Sequence, residues 1–464
     1  MSTRTIDDKP RGEAEQRLIA EIEKKHGKTV DQLREEREKR VSDAIELRVP
    51  DRVPVNVGTG VFAARYAGLP ASAMYYDHAA YAEASKKMLL YFEPDNGGMG
   101  VGSSGLVLGL LDCKQYLWPG GNLPPDGTYQ FVEGEYMKAD EYDRFLSDPA
   151  DFIVRDYLPR TYGAFKPLVD LPPFGHLVGP KELASIIYML YRPDFKVLTS
   201  ILKSLSRPEF EELLRLLDRV EQEQQRLGKM AVAFGAELAR LGFPGGGGAG
   251  APAGGSGSLF APFDSISDRL RGMRGAMLDM FRRPEKLLTA CDKILEWEMS
   301  VAVPAKRDAR GSPVRAGMPL HRGSDGFMSL KDFEKFYWPT LKKAIEAKVE
   351  LGYTATPFFE GIWDDRLEYL LDLPKGKVVF YCEKTDVFKA KKILGGHMCI
   401  QGGVPPTLLQ AGSPSDVEEH CKKLIEIVGK DGGFILSAGS AIDFARPENI
   451  KAMVDSAKKY GRYS

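Results

Sequence analysis

Carboxylates and an imidazole follow directly on short apolar runs in this chain. Glu360 comes after "TATPFF" and precedes Gly361. His321, Arg322 and Asp325 follow "VRAGMPL", and Glu383 and Asp386 follow "KVVFYC". "CIQGGV" delivers Gln401 before a Gly-Gly turn, and "GFILSAGSAIDF" delivers Ser440 and Asp443. Paired carboxylates beside a histidine suit general acid–base chemistry, because crowding drives their proton affinities apart. The same nitrogen and oxygen donors suit a divalent cation, with Glu360 and His321 as candidate ligands. Each residue also has a structural reading. Glu360 could pair with Arg322 or cap the helix after Asp364, and His321 could be a satisfied structural group. Asp386, just ahead of "VFKAKKIL", stands where an N-cap would. Asp443, before "ARPEN", suits a turn. Glu360, His321, Glu383 and Asp386 form the set expected to act in catalysis.

Residues this far apart meet only if the chain puts every strand end on one rim. The pattern after residue 313 does so. Strand-like runs at "VRAGMPLHR", "YTATPFFEG", "KVVFYCEK", "HMCIQGGV" and "GFILSAGSA" alternate with helical segments, among them "LKDFEKFYWPTLKKAIEAKVEL" and "SDVEEHCKKLIEIVG". Continuous apolar strands joined by helices imply a parallel sheet buried on both faces. The expectation is an α/β fold, a (β/α)8 TIM barrel, whose chemistry sits at the C-terminal strand ends. Residues 12–47 read as helices packed outside the main body. Residues 1–49 are then an N-terminal helical extension and residues 50–464 the barrel. The "GFPGGGGAGAPAGGSGS" stretch at 242–258 reads as a flexible insertion loop.

Composition narrows the function classes. The 464 residues carry 64 Lys and Arg against 65 Asp and Glu, so no basic field argues for nucleic acid or an anionic membrane. No apolar run is long enough to span a bilayer, and the N-terminus has no apolar signal core. A cytoplasmic location is expected. The five dispersed cysteines argue against a disulfide framework. His397 and Cys399 in "GGHMCIQGG" read as a buried strand with an inert thiol rather than a metal motif.

"GGVPPTLLQAGSPSDVEEHCKKLIEIVGKDGGFILSAGSAIDFARPENIKAM" resembles the C-terminal signature of the uroporphyrinogen decarboxylase superfamily. "RVPDRVPVNV" is similar to that family's opening strand, and "SDGFMSLKDFEKFYWPTLKKAIEA" to its segment after the fourth strand. The resemblance implies the same barrel and two activities. True decarboxylases carry an arginine-rich "MRQAGRY" motif that grips porphyrinogen carboxylates. Here "GTGVFAARYAGLP" keeps only Arg65-Tyr66, and Asp95 falls near the family's catalytic aspartate. The other branch, corrinoid-dependent methyltransferases, binds zinc through His-x-Cys and a later Cys. Phe358, Glu360 and Ser440 stand at those places, so the usual zinc ligands are absent. The resemblance therefore implies a methyltransferase frame with an oxygen-rich rim, acting on a methoxylated small molecule. Its cobalamin would be carried by a separate corrinoid protein, since no DxHxxG is present, and analogy adds a homodimer. The alternatives are a decarboxylase of a porphyrinogen or other acid, and a non-catalytic binding barrel. The expected substrate contacts are Arg65, Tyr66, Asp95, Arg322, Phe359, Trp363, Gln401 and Ser440.

Overall fold

A computed structural model describes residues 12–58, 60–96, 102–172, 196–244, 259–305 and 314–463. Residues 245–258 of the glycine-rich stretch lie outside the described residues. The chain divides into two compact units. One holds residues up to 103, 227–264 and from 294 onward; the other holds 104–226 and 265–293.

The second unit is mostly helical. It contains a two-stranded antiparallel ribbon, β1 (Tyr116–Leu117) with β2 (Gln130–Phe131). Its core is pinned by Asp279, which accepts from Arg271 Nε at 2.6 Å and from the Tyr142 hydroxyl at 3.0 Å. Both partners of that ion pair are buried, and Arg271 Nη1 also donates to Met137 O.

The first unit is built on a parallel sheet in strict chain order: β3 (Val314–Leu320), β4 (Tyr353–Phe359), β5 (Val379–Cys382), β6 (Cys399–Val404) and β7 (Phe434–Ala438). Beyond β7, an extended segment at residues 53–57 adds a parallel bridge, Val55 to Leu436. All five expected C-terminal strands form, and their connections are helical or 3-10 helical. The described strands make an open parallel run, in the α/β class expected; a closed eight-stranded ring is not seen among the described residues.

The register sorts side chains onto two faces, because residues paired across a ladder point the same way. Leu320, Phe359, Cys382 and Leu436 share one face and are fully buried. Pro319, Phe358, Tyr381 and Gln401 share the other, which is half-open. The N-terminal end of that second face is covered. Val379, Cys399 and Ile435 pack against Val41, Ala44 and Ile45 of the helix Val30–Ile45. Arg315 Nη2 reaches Glu38 at 2.6 Å and Ser42 at 3.2 Å on the same helix. The helix expected to pack outside the body is thus part of the core. Its apolar stripe covers strand starts, which leaves only the C-terminal end of this face open.

Candidate active site

Continuing the alternation past each strand puts His321, Glu360 and Glu383 on the half-open face, two positions beyond Pro319, Phe358 and Tyr381. The strand ends are laced together by backbone bonds. Glu360 N–H donates to Leu320 O at 3.2 Å, Glu383 N–H to Phe359 O at 3.3 Å, and Gly439 N–H to Val404 O at 2.9 Å. His321 Nε2 lies 3.7 Å from Glu360 Oε2, with the two side chains 35% and 50% exposed. A separation of 3.7 Å is an ion-pair contact rather than a full hydrogen bond, and it lies open to solvent.

Three carboxylates support this pair. Glu383 Oε2 accepts the N–H of Gly361 at 2.8 Å, which closes the turn after Glu360. Gly361 takes φ +79°, and a Cβ there would come within 2.9 Å of Ser324 Cβ, so the turn requires glycine. Asp264 accepts from the backbone N–H groups of His321 at 2.8 Å and Arg322 at 3.0 Å. Asp325 pairs with the buried guanidinium of Arg366 and takes the N–H of Asp365 at 3.2 Å.

Below the pair, Phe358 and Tyr381 lie with ring centroids 4.9 Å apart on the same face. Burial, with the nearby Cys382 and Glu383, pushes the Tyr381 hydroxyl well above its ordinary range, so it stays neutral at any working pH. Gln401, half-buried, continues the row on β6. Ser440 is half-buried just after Gly439, whose Cβ position would meet Glu383 O at 2.7 Å. The β7 loop therefore closes on the end of β5 and brings Ser440 to the rim.

Four expected site residues are placed elsewhere. Asp386 is the N-cap of the helix Val387–Leu394, its Oδ1 accepting from Phe388 and Lys389 N–H at 2.9 and 3.2 Å. A carboxylate held by two helix amides is a cap, not a proton carrier. Phe359 and Trp363 are 0% exposed. They pack edge to face at 4.8 Å on the closed side of the sheet, and so line the core rather than a substrate. Asp95, also 0% exposed, accepts from Arg40 at 2.6 Å, from both Arg52 Nη atoms at 2.8 Å and from Val55 N–H at 2.8 Å. It is thus anchored to Arg40 on the helix that covers the strand starts and to the 53–57 segment. Arg40 itself is forked onto Asp51 at 2.6 Å.

Arg65 and Tyr66 follow the C-terminal end of the 53–57 segment. The loop there is tied to the β7 loop by Gly60 N–H on Ile442 O at 3.0 Å and Val61 N–H on Asp443 Oδ1 at 3.0 Å. Asp443 thus serves the loop junction. The Arg65 guanidinium lies 4.1 Å from the Phe444 ring centroid, and Tyr66 packs on Phe92 at 5.3 Å. The Arg322 guanidinium lies 5.2 Å from the Phe327 ring.

Among the described residues no three His, Cys, Asp or Glu side chains converge on a metal position. At the three places where the resemblance implies zinc ligands stand Phe358, Glu360 and Ser440, of which one carboxylate is a competent donor. His397 Nε2 donates to Leu373 O at 2.9 Å, and Cys399 is buried with its thiol pushed far up by desolvation. This donor set does not fit zinc.

Sequence reasoning missed Asp264 and Tyr337. Both lie in stretches that read as helix, and nothing local marks Asp264 as the partner of residues 57 and 58 positions away.

Comparison with known proteins agrees with this architecture. Residues 252–460 match the family described as Uroporphyrinogen decarboxylase (URO-D). A uroporphyrinogen decarboxylase of Syntrophotalea carbinolica is 24% identical over 177 residues, 38% of this chain and 49% of the relative. Another, from Paraburkholderia phytofirmans, is 27% identical over 79 residues, 17% of this chain and 21% of the relative. The chain thus spans about half the length of the first curated relative and less of the second. Among solved structures, a methyltransferase from Methanosarcina mazei shares the fold with TM-score 0.52 at 15% identity, over 91% of this chain and 98% of that one. No helix among the described residues is long and apolar enough to cross a membrane. Over residues 252–460 the chain is therefore similar to the uroporphyrinogen decarboxylase family, in a fold shared with a methyltransferase.

Proposed function

We propose that the chain is the substrate-side methyltransferase of a corrinoid-dependent system. It removes a methyl group from a methoxylated aromatic molecule and delivers it to a separate corrinoid protein. The observation that carries this reading is the His321–Glu360 pair, 3.7 Å apart on neighbouring strand ends and open to solvent above an aromatic floor. The corrinoid supplies the nucleophile that accepts the methyl group. The protein's own task is on the oxygen. As the methyl–oxygen bond breaks, its electron pair stays on oxygen, and an unprotonated aryl oxide is a poor leaving group. A proton held between Glu360 and His321 passes to that oxygen, so the product leaves as a neutral phenol. Phe358 and Tyr381 offer a flat apolar surface and Gln401 a polar edge for orienting the ring.

The competing reading is a decarboxylase, with Arg65 or Arg322 holding a carboxylate. Glu360 and Glu383 at the same rim work against it, because like charge disfavours an acidic substrate there. The test is incubation of the protein, a reduced corrinoid protein and a methoxyarene carrying an isotopic methyl label. Label on the corrinoid protein is expected. Carbon dioxide release from candidate acids, with no methyl transfer from any ether tried, overturns the proposal in favour of decarboxylation.

A further inference from the structure

Asp264 ends the short helix Pro262–Asp264 and is only 5% exposed. Its Oδ2 accepts from His321 N–H at 2.8 Å and from the Tyr337 hydroxyl at 2.7 Å; its Oδ1 accepts from Arg322 N–H at 3.0 Å. These two amides are the first after β3, where the ladder to β4 ends at Leu320 and Phe359. One buried carboxylate thus fixes the backbone on which His321 stands.

The other member of the pair is fixed from the same post. The Tyr337 ring, 1% exposed, packs against Trp363 at 6.1 Å and Phe263 at 5.8 Å. Trp363 Nε1 donates to Glu360 O at 2.9 Å, and Trp363 N–H donates to Thr385 Oγ1 at 3.0 Å. Gly323 fits between the two rings, where a Cβ would come within 2.4 Å of Trp363 and 2.5 Å of Tyr337. The contacts close a circuit. His321 is held by Asp264, Asp264 by Tyr337, Tyr337 by Trp363, Trp363 by Glu360, and Glu360 faces His321 again.

We propose that Asp264 is a positioning residue which, through Tyr337 and Trp363, sets the approach of His321 to Glu360. It touches no substrate in this scheme. Its carboxylate accepts from the first two amides beyond the ladder, and it couples them to an aromatic post packed into the core. The requirement explains why a full carboxylate is used: one oxygen serves His321 and Tyr337 while the other serves Arg322. An amide side chain offers only one acceptor oxygen to three donors. The proposal rests on the reading of His321 and Glu360 as a proton-handling pair.

The test measures that pair without needing turnover. Histidine NMR of the full chain gives the proton affinity of the His321 imidazole in the wild type and in E360Q. At 3.7 Å, removing the Glu360 charge is expected to lower that affinity about fivefold. In the D264N background the same E360Q change is expected to alter it less than about twofold, because the imidazole no longer holds its place. Y337F keeps the ring and removes one donor, and is expected to fall between; it also serves if D264N does not fold. Coupling undiminished in folded D264N or Y337F overturns the proposal and leaves the proton pair standing. An imidazole in the wild type indifferent to E360Q overturns the pair itself, and the positioning role with it.

Discussion

Gly361 N–H donates to Glu383 Oε2 at 2.8 Å, so the carboxylate at the end of β5 closes the turn that carries Glu360 at the end of β4. The bond links two strand ends that the register already aligns, Phe359 with Cys382. It also gives Glu383 a role that differs from proton transfer, since one oxygen is committed to a backbone amide.

Replacing Gly361 tests this turn. At φ +79°, with Ser324 Cβ 2.9 Å from the new methyl position, G361A is expected to cost about 1–3 kcal/mol in urea unfolding. The loss of turnover should exceed the loss of folded protein, because the shifted turn moves Glu360. E383Q, which keeps an acceptor for Gly361, should retain far more activity than E383A. Equal loss in E383Q and E383A would instead mean that Glu383 handles a proton itself.

Asp95 should matter for stability and not for chemistry. It is a fully buried charge held by two arginines and an amide. D95A leaves Arg40 and Arg52 facing an empty site, and is expected to destabilise by about 3–5 kcal/mol. Protein that stays folded at low temperature should turn over at the wild-type rate. A specific activity down tenfold or more in folded D95A would contradict a purely structural role.

The strands were legible because burial on both faces leaves an unbroken apolar run, and Glu360 was legible because such a run stops abruptly at a carboxylate. Strand alternation alone already separates Phe359 from Glu360, since neighbours on a strand face opposite ways. Phe359 as a substrate contact ignored that parity. Asp386 stood in an N-cap position by sequence, and its bonds are those of a cap. Asp95 and Asp264 were illegible for a common reason. What a buried carboxylate does depends on partners that the fold brings from afar, Arg40 55 positions before Asp95 and His321 57 positions after Asp264. The helix Val30–Ile45 misled through its charge density, which hides the short apolar stripe of Val41, Ala44 and Ile45.

Lys348 gives the protein a signature at alkaline pH. It is 0% exposed on the helix Trp338–Glu350, and its Nζ donates to Gly317 O at 3.1 Å. Burial pulls its pKa from 10.5 down to about 8, against the opposing charge of Glu298. Burial pushes Glu298 from 4.5 up to about 7, with the Phe260 N–H and Lys348 holding it back. A lysine depressed on folding costs stability fully below its folded pKa, and the cost fades as pH rises toward the unfolded value. Glu298 adds its own cost above about 7, so that cost is constant across the alkaline window. Unfolding free energy of the wild type relative to K348M should therefore rise between pH 8 and 10.5, by up to on the order of 3 kcal/mol. Parallel stability curves for the two proteins across that window would mean that Lys348 is not desolvated.

If Glu360 delivers a proton to the departing oxygen, its importance must depend on how basic that oxygen is. Single-turnover methyl transfer to a reduced corrinoid protein would be timed for wild type and E360Q with methyl ethers of phenols of decreasing pKa. A positioned acid contributes about 10²–10⁴ where the leaving oxide is basic and little where it is already stable. An E360Q defect of that size is expected for the parent methoxyarene, shrinking toward none for a nitrophenyl ether. A defect of the same size across the whole series, or none at all, would contradict it.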